Sequence, residues 1–477
     1  MLTTIIKKEV LENILSYRFP LFFLICTALI LSSFYVNYLD YTKRVNDYNE
    51  QLRLTDNALT SSRMWDVISG SVPLKGFRRP SPLSIFAHGF ESTLPTYFEF
   101  QADGSKQGDT PFNDESILSV HGKFDFIFII QMVVSLIVLL FASDTIAGEK
   151  ELGTLRGILS NSVARHSVLV GKLIGGSVAV WLPLLVTFLL GIVLLSVTAF
   201  PLFEPAILIK VIIVFLSASV FILTYFTMGA MISANCARVR TSLVVTLLVW
   251  IFFQLIVPKV SDMIAAVVYP IKTEITVSME KSLVAKTLDE EKAKLLGKRN
   301  EAIFGRGASV TSNPEPSPKQ VEWDGFKKEV EQQYQERKSK QLKEIVETYR
   351  REKQRQQTIA SALSLISPSA SFARFITDVC GTGEIDKLKY LEAVHSHEQT
   401  LNSELYSHIK RTTLILPSGG TASSSSIDQM VDLKTLPAFS VPTTSLAELI
   451  TGNLGSLISL AFWFILLFVI AHVRFLK

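Results

Sequence analysis

The sequence predicts an all-α polytopic membrane protein, with six transmembrane helices and an α-rich external domain formed by two insertions. Three observations carry this. The chain has 477 residues, 48% of them hydrophobic, yet the apolar residues gather in runs instead of spreading evenly. The runs are close to or above the roughly 20 residues that a helix needs to cross about 30 Å of hydrocarbon. Lys and Arg cluster in every second gap between the runs, and apolar stripes at helical spacing continue beyond two of them.

Residues 1–18 lead in. Ile5, Ile6, Val10, Ile14 and Leu15 interleave with Lys7, Lys8, Glu9 and Glu12, an amphipathic pattern suited to a helix lying on a membrane surface. The first span is 19–36; aromatic residues follow it in place of a small-residue cleavage site, so it is expected to be retained. The first insertion, 37–123, begins as an extension of that helix. Phe34, Tyr38, Tyr41, Val45, Tyr48, Leu52 and Leu59 form one stripe, with Asp40, Lys43, Arg44, Asp47 and Glu50 between them. Short strands are expected within Pro73–Phe90 and Thr96–Gln101. The second span is 124–142, followed by a polar loop, 143–167, and the third span, 168–197. The fourth span, 206–233, leads through the short loop 234–241 to the fifth, 242–268. Pro258 interrupts the fifth, which is tolerated where a neighbouring helix satisfies the freed carbonyl. The second insertion, 269–448, carries two further stripes. Val277, Val284, Leu288 and Leu295 make one; Phe326, Val330, Tyr334, Leu342, Ile345 and Tyr349 make the other. The turn-forming segment Gly305–Lys319 lies between them, which predicts a long helical hairpin. Thr421–Ser426 has the composition of a surface loop. The sixth span is 449–473.

Basic residues orient the spans. Lys7, Lys8 and Arg18, then Lys150, Arg156, Arg165 and Lys172, then Arg238 and Arg240, then Arg474 and Lys477 fall on one side of a six-span chain. The positive-inside rule makes that side, and both termini, cytoplasmic. Net charge is only +4, which gives no footprint for nucleic acid. Of three cysteines only Cys380 is expected outside the membrane, so no disulfide framework is expected.

Catalytic and metal-binding patterns are sparse. There is no GxxxxGK[ST] phosphate loop, no HExxH and no GxSxG. His395 and His397, with Glu392 and Glu398 nearby, could ligate zinc or copper from an extended segment but not from one helix face; a solvated polar segment is the favoured reading. Ionisable residues deep within the spans are not expected, which argues against ion-coupled transport. Gln131, Thr187, Thr224, Thr227 and Gln254 are polar residues within spans, suited either to line a pathway or to bond neighbouring helices. Gly171, Gly175, Gly176 and Ser177 give the third span a close-packing edge, for helix contacts or a dimer seam.

The loop Asp144–Lys172 is the most distinctive segment. Leu152, Leu155, Ile158 and Leu159 give it an apolar face, and its charged groups are Glu149, Lys150, Glu151, Arg156 and Arg165. Gly148-Glu149-Lys150-Glu151, Gly153-Thr154-Leu155-Arg156, Leu159-Ser160, Arg165 and Gly171-Lys172 resemble the loop after the second span in type-2 ABC transporter permeases. Further segments are similar to a bacterial subfamily with large external loops, the permeases of nitrous oxide reductase maturation and of gliding motility. These are Arg79-Pro80-Ser81-Pro82-Leu83-Ser84, Trp250 with Pro258 and Tyr269-Pro270, and Ser367-Pro368-Ser369 followed by Cys380-Gly381-Thr382-Gly383. Cys380 departs from the small residue, such as alanine, expected there.

The resemblance implies a non-catalytic subunit of an exporter, multi-pass in the bacterial cytoplasmic membrane. It implies two separate ABC ATPase subunits that hold ATP and Mg, no cofactor in this chain, and a second permease, identical or related. The loop would be the coupling helix, with Glu149, Lys150, Glu151, Thr154, Arg156 and Arg165 as its ATPase contacts. Residues 1–18 would be the elbow helix. The alternative is a mechanotransmitter that moves its external hairpin against an outer-side protein, with nothing crossing the membrane.

Overall fold

The computed structural model describes all residues except 1, 62–71, 92, 102–103, 108–123, 161–163, 199, 306–317, 416–436 and 477. Among the described residues, six helices are long and apolar enough to cross a membrane. The chain divides into two compact units, Met1–Val257 with Leu365–Lys477, and Pro258–Ser364.

In the first unit, α1 (Leu2–Leu15) precedes α2 (Arg18–Ser61), a single helix that contains the first span and its extension. The second candidate span, Phe126–Glu151, comprises a helical turn (Phe126–Phe128), a π-helical stretch (Ile129–Val134), α3 (Ser135–Asp144) and the short helix after it. That short helix is α4 (Ala147–Glu151), and a second, α5 (Thr154–Ser160), follows. The third and fourth spans are α6 (Arg165–Ser196) and α7 (Pro205–Asn235). The fifth span, Val239–Val268, comprises α8 (Val239–Ile251), a π-helical stretch (Phe252–Ile256) and α9 (Val257–Val268). Pro258 does not break it. In a π register the carbonyl of Phe253 would meet the N–H five residues on, which Pro258 lacks. The Ser367 hydroxyl donates to that carbonyl instead, at 2.7 Å.

Ser367 caps a helix that the sequence assigns to the second external insertion. That helix, which we number α12 (Pro368–Val379), packs in the same core as the spans: Phe372, Phe375 and Ile376 are buried there. Phe372 stacks on Phe221 of α7 with ring centroids 4.3 Å apart. Gln131, in the π-helical entry to α3, donates to the Ser369 carbonyl at 2.7 Å, and Ser371 bonds Ser459 at 2.9 Å. The second insertion is therefore not wholly external to the bundle. The unit ends with α13 (Glu384–Ile415), α14 (Leu446–Gly452), which opens on a capping box at Ser445, and α15 (Leu454–Leu476), the sixth span.

At the end of the bundle opposite α4 and α5, an antiparallel sheet runs β1 (Leu74–Phe77), β2 (Tyr97–Gln101), β3 (Gly104–Gln107). The two expected strands are present and β3 adds a third. The segment between β1 and β2 turns into the core, where Phe86 and Ala87 are fully buried and Phe86 meets Phe34 at 5.0 Å. Arg44 and Arg78 both bond the buried Glu91, at 3.0 and 2.8 Å. Ser81 donates to the Cys380 carbonyl at 2.6 Å, so two motifs distant in sequence meet here.

The second unit takes in α9 after Val257 and holds α10 (Glu274–Phe304) and α11 (Pro318–Ser364), the expected hairpin. Val277, Leu288 and Val330 are its buried positions. Ion pairs run along it, Lys353–Glu274 at 2.9 Å, Lys338–Asp289 at 3.1 Å and Lys292–Glu331 at 3.1 Å. Most of its expected turn, and Thr421–Ser426, lie outside the described residues.

Candidate coupling site

The segment between α3 and α6 is clamped at its base and exposed at its tip. The first backbone N–H groups of a helix have no partner within it. Here Ser233, near the end of α7, accepts from the N–H groups of Ile146 and Ala147 at 3.1 and 2.8 Å. Lys150 donates to the Ala234 carbonyl, placing an ammonium at the C-terminal end of α7, where the helix dipole favours it. Glu151 accepts from the Val239 N–H at 2.8 Å, the matching arrangement at the N-terminus of α8. Arg18 pairs with Asp144 at 3.0 Å. A Cβ on Gly148 would lie 2.3 Å from that Asp144 carboxylate, so a larger residue there would displace the carboxylate from its present place.

Glu149 turns inward as well. It pairs with Lys172 at 2.8 Å, and Lys172 pairs with Glu9 of α1 at 2.7 Å. The Lys172 side chain is 3% exposed and the Glu9 side chain 8%. Burial raises the Glu9 carboxyl above its usual range, against the pull of the Lys172 ammonium. A buried charged triad is not what the sequence predicts, since Lys172 there counts as a loop-end charge. In the structure it sits inside α6, two turns from its start. Gly171 and Gly175 flank it and seat α1: added Cβ atoms would meet Ile5 at 2.7 Å and Glu9 at 2.6 Å. Gly176 faces Phe226 of α7. The small-residue edge thus serves contacts within the chain.

The tip is different. Leu152 is 79% exposed, and Gly153 beside it adopts φ +74°, the left-handed conformation that lets α4 turn into α5. Thr154, Gly157 and Ser160 are exposed along α5. Of the six expected contact residues, Glu149, Lys150 and Glu151 are committed to the base, while Thr154 and Arg165 are exposed. The Arg156 side chain lies outside the described residues. Leu152, exposed at the bend, is absent from that set; its place between a charged run and a glycine was the available signal.

The polar residues within spans bond neighbouring helices or their own helix. Gln131 bonds Ser369, Thr187 bonds Thr27 at 3.1 Å, and Tyr225 donates to Gln254 at 3.2 Å. Thr224 bonds back to the Val220 carbonyl and Thr227 to that of Leu223. Thr227 also borders an apolar cleft of about 420 Å³ between α6, α7 and α15, where Trp181 and Phe468 are walls. A second cleft, about 320 Å³, lies between α2, α3 and α8, lined by Leu21, Ile25, Ile137, Leu140 and Leu243, with Arg18 and Asp144 at one end.

His395 and His397 lie on α13, where two imidazoles two residues apart diverge. His395 bonds Gln399, and His397 packs between Phe100 and Phe439. Among the described residues no three His, Cys, Asp or Glu side chains converge on a metal position.

None of the curated proteins compared with the chain matches it. A family model described as ABC-2 family transporter protein matches residues 3–477, nearly the whole chain. Members of that family are generally non-catalytic membrane subunits that dimerise and work with ATPase subunits. Its six apolar helices and this match together make the chain a member of the ABC-2 transporter family, a multi-pass membrane permease of an ABC transporter.

Proposed function

We propose that this permease is the membrane half of an ATP-driven exporter and takes its energy through the bend between α4 and α5, here called the elbow and distinct from the elbow helix of residues 1–18. The carrying observation is the contrast between a clamped base and the exposed Leu152–Gly153 tip. A partner can shift a conformational equilibrium only where it binds the two states differently. A tip anchored to α6, α7 and α8 passes such a preference on to three spans at once. The partners are two ABC ATPase subunits, which bring ATP and Mg, and a second permease, the same chain or a related one. The site is a bacterial cytoplasmic membrane with both termini inside, the arrangement that puts the elbow on the side where ATP is.

The contact surface on this reading is Leu152, Thr154 and the exposed side of α5, with Arg156 and Arg165 flanking. Glu149, Lys150 and Glu151 shape the elbow from behind. Leu152→Asp replaces the exposed apolar tip with a charge and touches none of the clamp. It is expected to cut recovery of the ATPase with the solubilised permease by about tenfold or more, the scale of losing a well-buried interface residue. Glu151→Gln, which keeps an acceptor for Val239, should retain it. Full recovery with Leu152→Asp would refute the assignment.

A second reading rests on the hairpin. Its arms of 31 and 47 residues measure about 45 and 70 Å at 1.5 Å per residue, long enough to act as a lever on an outer-side protein. The two readings differ in whether ATP hydrolysis moves anything across the membrane.

A further inference from the structure

We infer that Glu9, Lys172 and Glu149 are positioning residues that join α1 to the elbow, so that one displacement of α4 moves α1 and α6 together. This rests on the elbow being the site of ATPase contact. Three elements distant in sequence meet at one ammonium: Lys172 of α6 holds Glu9 of α1 at 2.7 Å and Glu149 of α4 at 2.8 Å. Charge-assisted bonds of this length are strong and directional. All three side chains are largely withdrawn from solvent, where screening is weak.

Stability alone does not explain such a group. Buried ion pairs are often no better than apolar residues of the same volume, while loss of one partner is costly. The bilayer gives the same answer: an ionisable side chain held inside a spanning helix points first to function. What the triad supplies is geometry. Gly171 and Gly175 bring the α1 backbone against α6, and Lys172 fixes its register there. The opposite edge of α1 exposes Leu11 and Leu15, at 60% and 76%, the face that suits the membrane surface. Motion at the elbow therefore reaches a helix bedded in that surface, in addition to the spans.

The test uses the full-length permease recovered with its ATPase in lipid nanodiscs. Three properties are followed: ATPase retained, ATP hydrolysed, and the change in amide hydrogen exchange of Leu2–Leu15 between nucleotide-free and ATP-trapped states. Lys172→Met, matched in shape and uncharged, is expected to keep the ATPase bound, lose the ATP-dependent change in α1, and slow hydrolysis about tenfold. Lys172→Arg, which keeps a cation between the two carboxylates, should retain both. Glu9→Gln, which retains an acceptor for Lys172, is expected to fold normally with a smaller loss. The proposal is overturned if Lys172→Met leaves hydrolysis and the α1 change intact. It is overturned too if Lys172→Arg folds normally but loses the α1 response as fully as Lys172→Met, since charge pairing then does not carry the link. If the unaltered chain retains no ATPase, the elbow assignment fails first and this link with it.

Discussion

Burial holds the Asp378 carboxyl up at about 6, although the Ile385 N–H and nearby Asn453 and Arg374 favour its charged form, while Asp386 opposes it. The residue sits at the end of α12, fully buried, and accepts from Ile385 at 3.2 Å across the Gly-Thr-Gly turn. The sign follows from linkage. The folded state binds this proton more tightly than the unfolded one, so Asp378 disfavours folding progressively as pH rises from about 4 to about 6. A shift of about two pKa units corresponds to about 3 kcal/mol once the group is ionised. Asp378→Asn cannot ionise and should flatten that part of the profile, raising the thermal midpoint above pH 6 relative to its value at pH 4.5. Thermal unfolding in detergent across this range checks it. A parallel profile for the variant would show that Asp378 does not carry the dependence. Nothing in the sequence flags this carboxylate, because its effect depends on a turn folding back over it.

Elements divide by how their signals are written. The six spans, the extended α2 and the α10–α11 hairpin follow from long apolar runs and seven-residue stripes, which one segment carries by itself. The α12 helix was not legible as part of the bundle. Its 12 residues are too few to span a membrane. Its placement depends on partners elsewhere: Gln131, Phe221, Phe253 and Ser459. The elbow was legible in position but not in orientation. A charged run reads as a contact surface, whereas Glu149, Lys150 and Glu151 find partners on α6, α7 and α8 that only the fold brings near. The Pro258 interruption was legible with its remedy, since a freed carbonyl needs a donor, but the donor was not. Ser367 can be tested as that donor. Ser367→Ala leaves the Phe253 carbonyl without its donor in a buried place, at a cost of about 1–3 kcal/mol. Pro258→Ala restores a backbone N–H that can meet it, so Ser367→Ala should cost markedly less in that background. A double-mutant cycle by thermal unfolding measures the coupling; additive effects would sever the link between the two residues.

Whether anything crosses the membrane is a question for the whole molecule. The hairpin has the build of a lever: a buried apolar seam at Val277, Leu288 and Val330, with ion pairs such as Lys353–Glu274 along the outside. Exposed pairs of this kind contribute little each, about 0–1 kcal/mol, so the seam sets its stiffness. A lever must keep its length, whereas an exporter with an accessory hairpin need not. Removing about two heptads from each arm keeps the seam in register while shortening the reach. In inside-out vesicles carrying the permease and its ATPase, export predicts an ATP-dependent change in lumenal small molecules, read by mass spectrometry. Leu152→Asp should abolish it, and the shortened hairpin should leave at least about half of it. The apolar clefts beside α2 and α6 favour this outcome, since both are large enough for a hydrocarbon segment. Hydrolysis that continues while the lumen never changes would sink export. Loss of the outer-side effect with the shortened hairpin, at undiminished hydrolysis, would then make the lever the protein's working part.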